Sequence, residues 1–195
     1  MRDDRDVTLL IGHQEGFDSH YISLWNLDDM ADNVAPRAAR RNPYQQIRAG
    51  RMAVQTGARW YGWHADGFAL VREIAVGLEG CDIALEKGVS QADVNKYKAE
   101  MLLFRGIWYA NKAFRFGDVP WVEKPLNIDS EELYGPRNAK ADIMAHVMED
   151  LNFACQHLPN TWGNKTRMGR YAALAVKSRM FLREGTWRKY HGTGD

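Results

Sequence analysis

A chain of 195 residues is long enough for one globular domain or for part of a larger one. Its 26 Lys and Arg side chains nearly balance 25 Asp and Glu side chains, and the resulting formal charge of +1 excludes an overall electrostatic preference for nucleic acid or anionic lipid. No apolar segment approaches the roughly 18 residues of a membrane-spanning helix, and no apolar stretch of a signal peptide follows Met1.

The first part of the chain has few helical patterns. Residues 18–30 place apolar side chains at helical spacing and predict a short helix. Residues 31–51 contain Pro36 and Pro43 and are predicted to be mostly loop. A cluster of arginines in and after this loop can bind phosphate, but we favour its interpretation as a solvated connecting segment. These arginines are Arg37, Arg40, Arg41, Arg48, Arg51 and Arg59.

Two long helices are predicted in the middle of the chain. The first covers about residues 58–86. Gly88 terminates it, because glycine readily adopts the left-handed conformation that closes a helix. Ser90 then fits the N-cap of the second helix, with Asp93 three residues later as in a weak capping box. This helix continues to Phe116 and is apolar over much of its circumference, which is typical of a helix packed on several sides.

Two more helices are predicted after a polar connection over residues 117–137. Asn138 is predicted to cap the first of them, an amphipathic helix that Pro159 ends. The last helix spans about residues 169–184 and is rich in small side chains, which permit a neighbouring helix to approach closely. No long segment alternates as a strand does, so the fold class is all-α. We expect tetratricopeptide-like stacked helical hairpins with irregular loops, without a regular period of about 34 residues.

The segment that follows the long second helix is predicted to have a structural role. Gly117 supplies the helix cap, and Pro120 prevents the helix from resuming. Asp118 can accept hydrogen bonds from backbone N–H groups of the turn. Arg105 lies on a mostly apolar helix, and because an unpaired buried guanidinium would be costly, we expect it to pair with a carboxylate such as Asp118.

Aromatic side chains supply the candidate binding sites. Flat aromatic rings pack against the apolar faces of sugars, and neighbouring polar side chains hydrogen-bond the hydroxyl groups. The best candidate constellation of this kind consists of Trp60, Tyr61, Trp63, His64 and Asp66. The same spacing also packs a hydrophobic core, and that interpretation is the one we favour for a helical aromatic stripe. A second candidate is Trp162, which lies in a predicted loop with Asn160 and Asn164.

The sequence contains no motif that indicates catalysis, a metal site or a cofactor. It lacks the H-E-x-x-H, G-x-S-x-G, G-x-x-x-x-G-K and D-x-D-x-D-G patterns. Cys81 and Cys155 are far apart in sequence and do not form a C-x-x-C pair. Buried free thiols are the interpretation we favour for them, and a disulfide between them stays open. We therefore expect no enzymatic activity, no metal and no cofactor.

Several short motifs in the second half of the chain together resemble those of the SusD/RagB family. The resemblance extends over roughly residues 18–190 and is most specific over residues 99–187. Its strength lies in the order and spacing of the motifs, since each of them is weak alone. The motifs are Ala99-Glu100, Phe104-Arg105-Gly106, Tyr109, residues 116–120, Pro136-Arg137, Asp150-Leu151, Ala154, Leu158-Pro159, Gly169, Ala172-Ala173, Arg179, Leu182 and Trp187.

The resemblance implies a lipoprotein that faces outward from a Gram-negative outer membrane. Members of the family capture oligosaccharides and act as a lid on a SusC-like, TonB-dependent transporter, which would be the partner of this chain. The family's lipoprotein signal and acylated cysteine are not in this sequence, and family members are more than twice as long. Residues 1–195 are therefore expected to form the N-terminal part of a SusD-like helical domain.

Two alternatives to oligosaccharide capture stay open at this point. Within the family, RagB-like members capture peptides. From a different class of protein, a cytoplasmic tetratricopeptide-like scaffold for protein interactions would fit the missing lipoprotein signal.

Overall fold

The computed structural model describes residues 68–163 and 166–191. The chain divides into two compact units, residues 1–70 and 71–195, so nearly all of the described residues belong to the second. In the described residues there are α-helices, a short 3-10 helix and no β-strand, which confirms the predicted all-α class. The α-helices are α1 (Ala69–Glu86), α2 (Gln91–Phe116), α3 (Lys140–His157) and α4 (Arg170–His191), and the 3-10 helix is Glu131–Tyr134.

The boundaries between α1, α2 and the following connection lie where the sequence predicts them. Gly88, with φ of +86°, follows α1 and donates its N–H to Leu85 O at 3.0 Å. Ser90 is the N-cap of α2 and accepts the Asp93 N–H at 3.1 Å. Gly117 ends α2 with φ of +72° and donates its N–H to Ala113 O. Both glycines adopt a φ that other residues rarely reach, which explains why each helix stops there.

The core of the second unit lies mainly between α2 and α3, and α4 packs on α3. Gly106 marks the close approach of α2 and α3, because a Cβ there would lie only 3.0 Å from Leu151 Cδ2. Each helix from α2 to α4 packs on the next helix of the chain, as expected for a tetratricopeptide-like arrangement. The largest fully buried side chains are Val71, Leu103, Tyr109, Val119, Ile143, Met144, Val147 and Leu151. None of the described helices combines the length and apolar character needed to cross a membrane.

The start of α3 corrects the prediction for Asn138. The N-cap residue is Ala139, which makes no capping hydrogen bond through its side chain. Instead Asp118, at the other end of the connection, accepts the Lys140 N–H through its Oδ1 at 2.9 Å. The Asn138 side chain is used elsewhere, because its Oδ1 accepts the Trp121 N–H at 2.8 Å. An isolated bridge between Val119 and Asn138 brings the two ends of the connection together and makes both contacts possible.

Replacing Asp118 with alanine should lower the free energy of unfolding by about 1 kcal/mol, the usual cost of losing a helix cap. The reason is that the first N–H of α3 loses its acceptor. Urea unfolding of both proteins measures the difference, and the affinity for oligosaccharide should not change. Asp129→Ala is the control, since Asp129 is an exposed residue of the same connection. Equal losses in the two variants would contradict a capping role for Asp118.

The loop between α3 and α4 closes tightly at Gly169. A Cβ at this position would lie 2.8 Å from Asn160 O and 2.9 Å from Pro159 O, both of which are backbone atoms. The next residue, Arg170, donates its N–H to Pro159 O at 2.8 Å. Backbone atoms held by such a hydrogen bond cannot move aside as a flexible side chain can, so only glycine fits here.

Gly169→Ala should therefore destabilise the protein by about 1–3 kcal/mol, the range for overpacking a tight contact. Gly163→Ala is a matched control in the same loop, because a Cβ at Gly163 would meet nothing within 4 Å. Thermal unfolding of the two variants compares them directly. If the two variants have the same unfolding temperature, the close approach at Gly169 does not require glycine.

Candidate functional site

Arg105 of α2 and Asp150 of α3 form a paired hydrogen bond across the helix interface. Arg105 Nε and Nη2 donate to the two carboxylate oxygens of Asp150, each at 2.7 Å. Burial raises the pKa of the Asp150 carboxyl, while the hydrogen bonds and charge of Arg105 act in the opposite direction. The expected pairing of Arg105 with a carboxylate is therefore confirmed, but the partner is Asp150 and not Asp118. Asp118 is exposed and caps α3, whereas Asp150 faces α2 next to Gly106, where the two helices come closest.

Trp121 packs among aromatic and cationic side chains of both helices. Its ring stacks on His146 at 4.6 Å between centroids and 13° between planes, and Tyr109 lies 4.2 Å away. The Arg105 guanidinium lies 4.9 Å from the ring centroid, and the indole N–H donates to Glu123 at 2.8 Å. These contacts join Trp121 to the packing of α2 against α3.

Trp162 is the one predicted binding residue that lies within the described part of the chain. Its indole N–H donates to Met168 O at 2.8 Å, which fixes the ring within the loop between α3 and α4. The Arg167 guanidinium lies 3.6 Å from the ring centroid, and the Tyr97 ring of α2 lies 6.2 Å away. Trp162 is half-buried, so part of its side chain faces solvent.

The support for Trp162 is a buried ion pair between the loop and α2. Arg167 Nε donates to Glu100 Oε1 at 3.0 Å, and Arg167 Nη2 contacts Glu100 Oε2. Both side chains are almost completely buried, at 4% and 5% exposure. The guanidinium thus has two functions, since it neutralises Glu100 and stacks on Trp162. Such a held aromatic ring can accept the apolar face of a small ligand.

A groove with a volume of about 550 Å³ lies along α4, next to the end of α2 and the start of α3. Its size is within the range of small-molecule sites, about 300–1,000 Å³. Cationic and aromatic side chains dominate its lining. They include Phe114, Lys140, Arg179, Arg183, Trp187 and Tyr190.

Only some of the predicted site residues lie within the described part of the chain. Trp60, Tyr61, Trp63, His64 and Asp66 lie outside the described residues, so their constellation stays a prediction. The groove is lined by Arg179, Arg183 and Tyr190, which are not among the binding residues predicted from the sequence. Positions 179, 183 and 190 are four and seven residues apart, and both spacings place side chains on one side of a helix.

The described residues include two cysteines and several possible metal ligands. Within residues 68–163 and 166–191, no three His, Cys, Asp or Glu side chains are grouped closely enough to hold a metal ion. Cys81 and Cys155 are both buried and free. Burial raises the pKa of both thiols, which favours their unreactive protonated form.

A SusD-like family model, described as starch-binding and associating with the outer membrane, matches residues 23–182. No curated protein matches the chain.

Solved structures with a similar fold include two Bacteroides proteins that align with nearly the whole chain. A SusD-like carbohydrate binding protein from Bacteroides vulgatus superposes with a TM-score of 0.69 at 17% identity, covering 95% of this chain and 42% of its own. Surface glycan-binding protein A from Bacteroides uniformis gives a TM-score of 0.67 at 15% identity, with coverages of 96% and 43%.

A third similar structure is surface glycan-binding protein A from Bacteroides fluxus. It has a TM-score of 0.56 and 22% identity, and covers 75% of this chain and 30% of its own length. At these identities the three likenesses concern the fold. The chain spans between 30% and 43% of the length of these three proteins.

Proposed function

Because the chain belongs to the SusD-like family, whose model covers residues 23–182, we propose that the protein binds oligosaccharide at the cell surface. The family match is the observation that carries this proposal. The names of the similar structures support it, since they are described as carbohydrate-binding or glycan-binding proteins. The bound oligosaccharide is passed to a TonB-dependent, SusC-like transporter in the outer membrane, and a lipid anchor holds the whole protein there.

Ligand capture would use aromatic rings supported by polar neighbours. We propose Trp162 as one contact, because the ring is partly exposed while Arg167 and Met168 hold it in place. The residues Trp60, Tyr61, Trp63, His64 and Asp66 are proposed as the other contacts. In this mechanism the apolar face of a sugar packs on the rings, and its hydroxyl groups hydrogen-bond to the imidazole and carboxylate.

We further propose that the protein binds without cleaving its ligand. Glycoside hydrolysis uses two carboxyl groups that face each other across the scissile bond. Three carboxylates that are almost completely buried are engaged by cations: Glu100 by Arg167, Asp150 by Arg105, and Glu184 by Lys140. A carboxylate held by such an ion pair is not available to face a scissile bond. This supports a binding role for the described region.

A glycan array tests the proposed function. The 195-residue chain, labelled at its N-terminus, is applied to immobilised neutral and acidic oligosaccharides and, in parallel, to an array of short peptides. Binding to at least one class of oligosaccharide supports the proposal. Binding to peptides with no oligosaccharide binding contradicts it and favours peptide capture.

Trp162→Ala tests the proposed contact residue. Since a stacked aromatic contact contributes about 0.5–1.5 kcal/mol, its loss should lower the affinity for the oligosaccharide by about 2- to 13-fold. Tyr134→Ala is the matched control, because Tyr134 is an aromatic residue exposed on the short 3-10 helix. Calorimetry with the glycan selected on the array gives the two affinities, and thermal unfolding verifies that the variants are folded. Equal affinities would remove Trp162 from the binding site.

A further inference from the structure

Four cationic side chains and no acidic ones belong to the described lining of the groove along α4. The four are Arg115, Lys140, Arg179 and Arg183. A concave surface lined by charges of one sign raises the local concentration of ligands of the opposite sign. The lining therefore fits an anionic ligand better than a neutral one.

Arg179 and Arg183 differ from the other arginines of this region in their partners. Arg105, Arg167 and Arg188 each contact a carboxylate. Within the described residues, neither Arg179 nor Arg183 has a carboxylate within 4.0 Å, and the Arg183 guanidinium lies over the Phe114 ring at 4.2 Å.

Their positions also suit joint binding of a ligand. Arg179 and Arg183 are four residues apart on α4, so they lie on the same side of that helix and point into the same groove. An arginine without a protein carboxylate can bind a ligand carboxylate through two parallel hydrogen bonds.

Lys140, at the start of α3, is neutralised by a carboxylate and packs on an aromatic ring. Lys140 Nζ lies 2.9 Å from Glu184 Oε2 and 4.6 Å from the centroid of the Trp187 ring. His191 packs against the same ring at 3.8 Å. Lys140 and His191 thus hold Trp187 in place, and the ring is still 48% exposed.

Tyr190 adds a second aromatic surface to the groove. Its side chain is 74% exposed. Exposed aromatic rings beside unpaired guanidinium groups combine the two features that recognise a charged sugar. The rings contact its apolar face, and the arginines pair with its acid groups.

We propose that the groove lined by Arg179, Arg183, Trp187 and Tyr190 binds an acidic oligosaccharide, one whose sugar rings carry carboxylate groups. The proposal rests on the proposed function and specifies a ligand class for a site separate from Trp162. Arg179 and Arg183 pair with the carboxylates, while Trp187 and Tyr190 contact the sugar rings.

Calorimetry with two trisaccharides of the same length tests the proposal. The chain is titrated with trigalacturonate, which is acidic, and with maltotriose, which is neutral. We expect trigalacturonate to bind at least about tenfold more tightly, and the double variant Arg179→Gln/Arg183→Gln to lose this preference, because each charged hydrogen bond is worth about tenfold or more. Glutamine keeps the polar character of both positions, and circular dichroism verifies the fold.

Arg170→Gln is the matched control for the loss of a charge. Arg170 is an exposed arginine of the same helix that does not line the groove, so its replacement should leave trigalacturonate affinity within about twofold of wild type. Equal affinity for the two trisaccharides overturns the proposal. So does trigalacturonate binding that the double variant leaves unchanged, or binding of phosphatidylglycerol vesicles without trigalacturonate binding.

The outcomes also separate this proposal from the proposed function. If neutral oligosaccharides bind and acidic ones show no advantage, the groove proposal fails and oligosaccharide binding stands. If no oligosaccharide of either class binds in calorimetry or on the array, both proposals fail. If an amphipathic peptide binds the groove in place of trigalacturonate, the groove is a protein-docking surface and the proposal is overturned.

Discussion

Replacing Asp150 with alanine should lower the free energy of unfolding by about 3–5 kcal/mol, the range measured when one partner of a buried ion pair is removed. Asp150 is only 5% exposed, and it accepts both hydrogen bonds of the Arg105 guanidinium. Without it, the guanidinium stays at the interface of α2 and α3 with no carboxylate to neutralise it. Urea unfolding followed by tryptophan fluorescence measures the change.

Two further variants show whether the loss comes from the unpaired charge. Glu149→Ala removes the neighbouring carboxylate, whose side chain is 77% exposed, and should cost less than about 1 kcal/mol. The double variant Arg105→Met/Asp150→Leu replaces both charges with apolar groups and should be more stable than Asp150→Ala. If the double variant is the less stable of the two, the unpaired arginine is not the cause of the loss.

Arg167→Ala should have an effect of similar size, about 3–5 kcal/mol, because it leaves Glu100 buried without its cation. The same substitution removes the guanidinium that packs on Trp162, so the loop between α3 and α4 should loosen. Affinity for the bound oligosaccharide should fall together with stability. Chemical unfolding and calorimetry on the same samples measure the two effects.

The charge on Glu100 can be tested separately from the packing of Arg167. Adding Glu100→Gln to Arg167→Ala removes the buried charge and should recover part of the stability, while the ring of Trp162 stays unsupported. Arg170→Ala, an exposed arginine three residues away, is the control and should cost less than about 0.5 kcal/mol. If Glu100→Gln gives no recovery, the loss comes from the packing of Arg167 and not from the ion pair.

Much of the fold follows from local signals in the sequence. Ser90 and Gly117 set the ends of α2 through their own backbone and side-chain preferences, and both are where the sequence predicts them. Asn138 shows the limit of such reasoning. It has the right residue type for an N-cap, but the bridge to Val119 takes its side chain to Trp121 and brings Asp118 to the helix start. A contact across a connection of this length depends on tertiary structure.

The binding region could be predicted only in part for a similar reason. Trp162 stands out in the sequence as an aromatic residue in a loop, whereas its support by Glu100 depends on packing between residues 67 positions apart. The cost of burying an unpaired guanidinium predicts that Arg105 pairs with a carboxylate. Its partner is not Asp118, the nearest acidic residue after α2 in the sequence. In the groove, the spacing of Arg179 and Arg183 is visible in the sequence. Only the packing of α4 shows that no carboxylate of the described residues lies within 4.0 Å of either guanidinium.

Calorimetric titration of the chain with the oligosaccharide selected on the array, and with a short peptide as comparison, tests oligosaccharide binding most directly. We predict a saturable heat of binding for the oligosaccharide, weakened in Trp162→Ala and unchanged in Tyr134→Ala, with no saturable heat for the peptide. A saturable heat for the peptide and none for any oligosaccharide would contradict the proposed function.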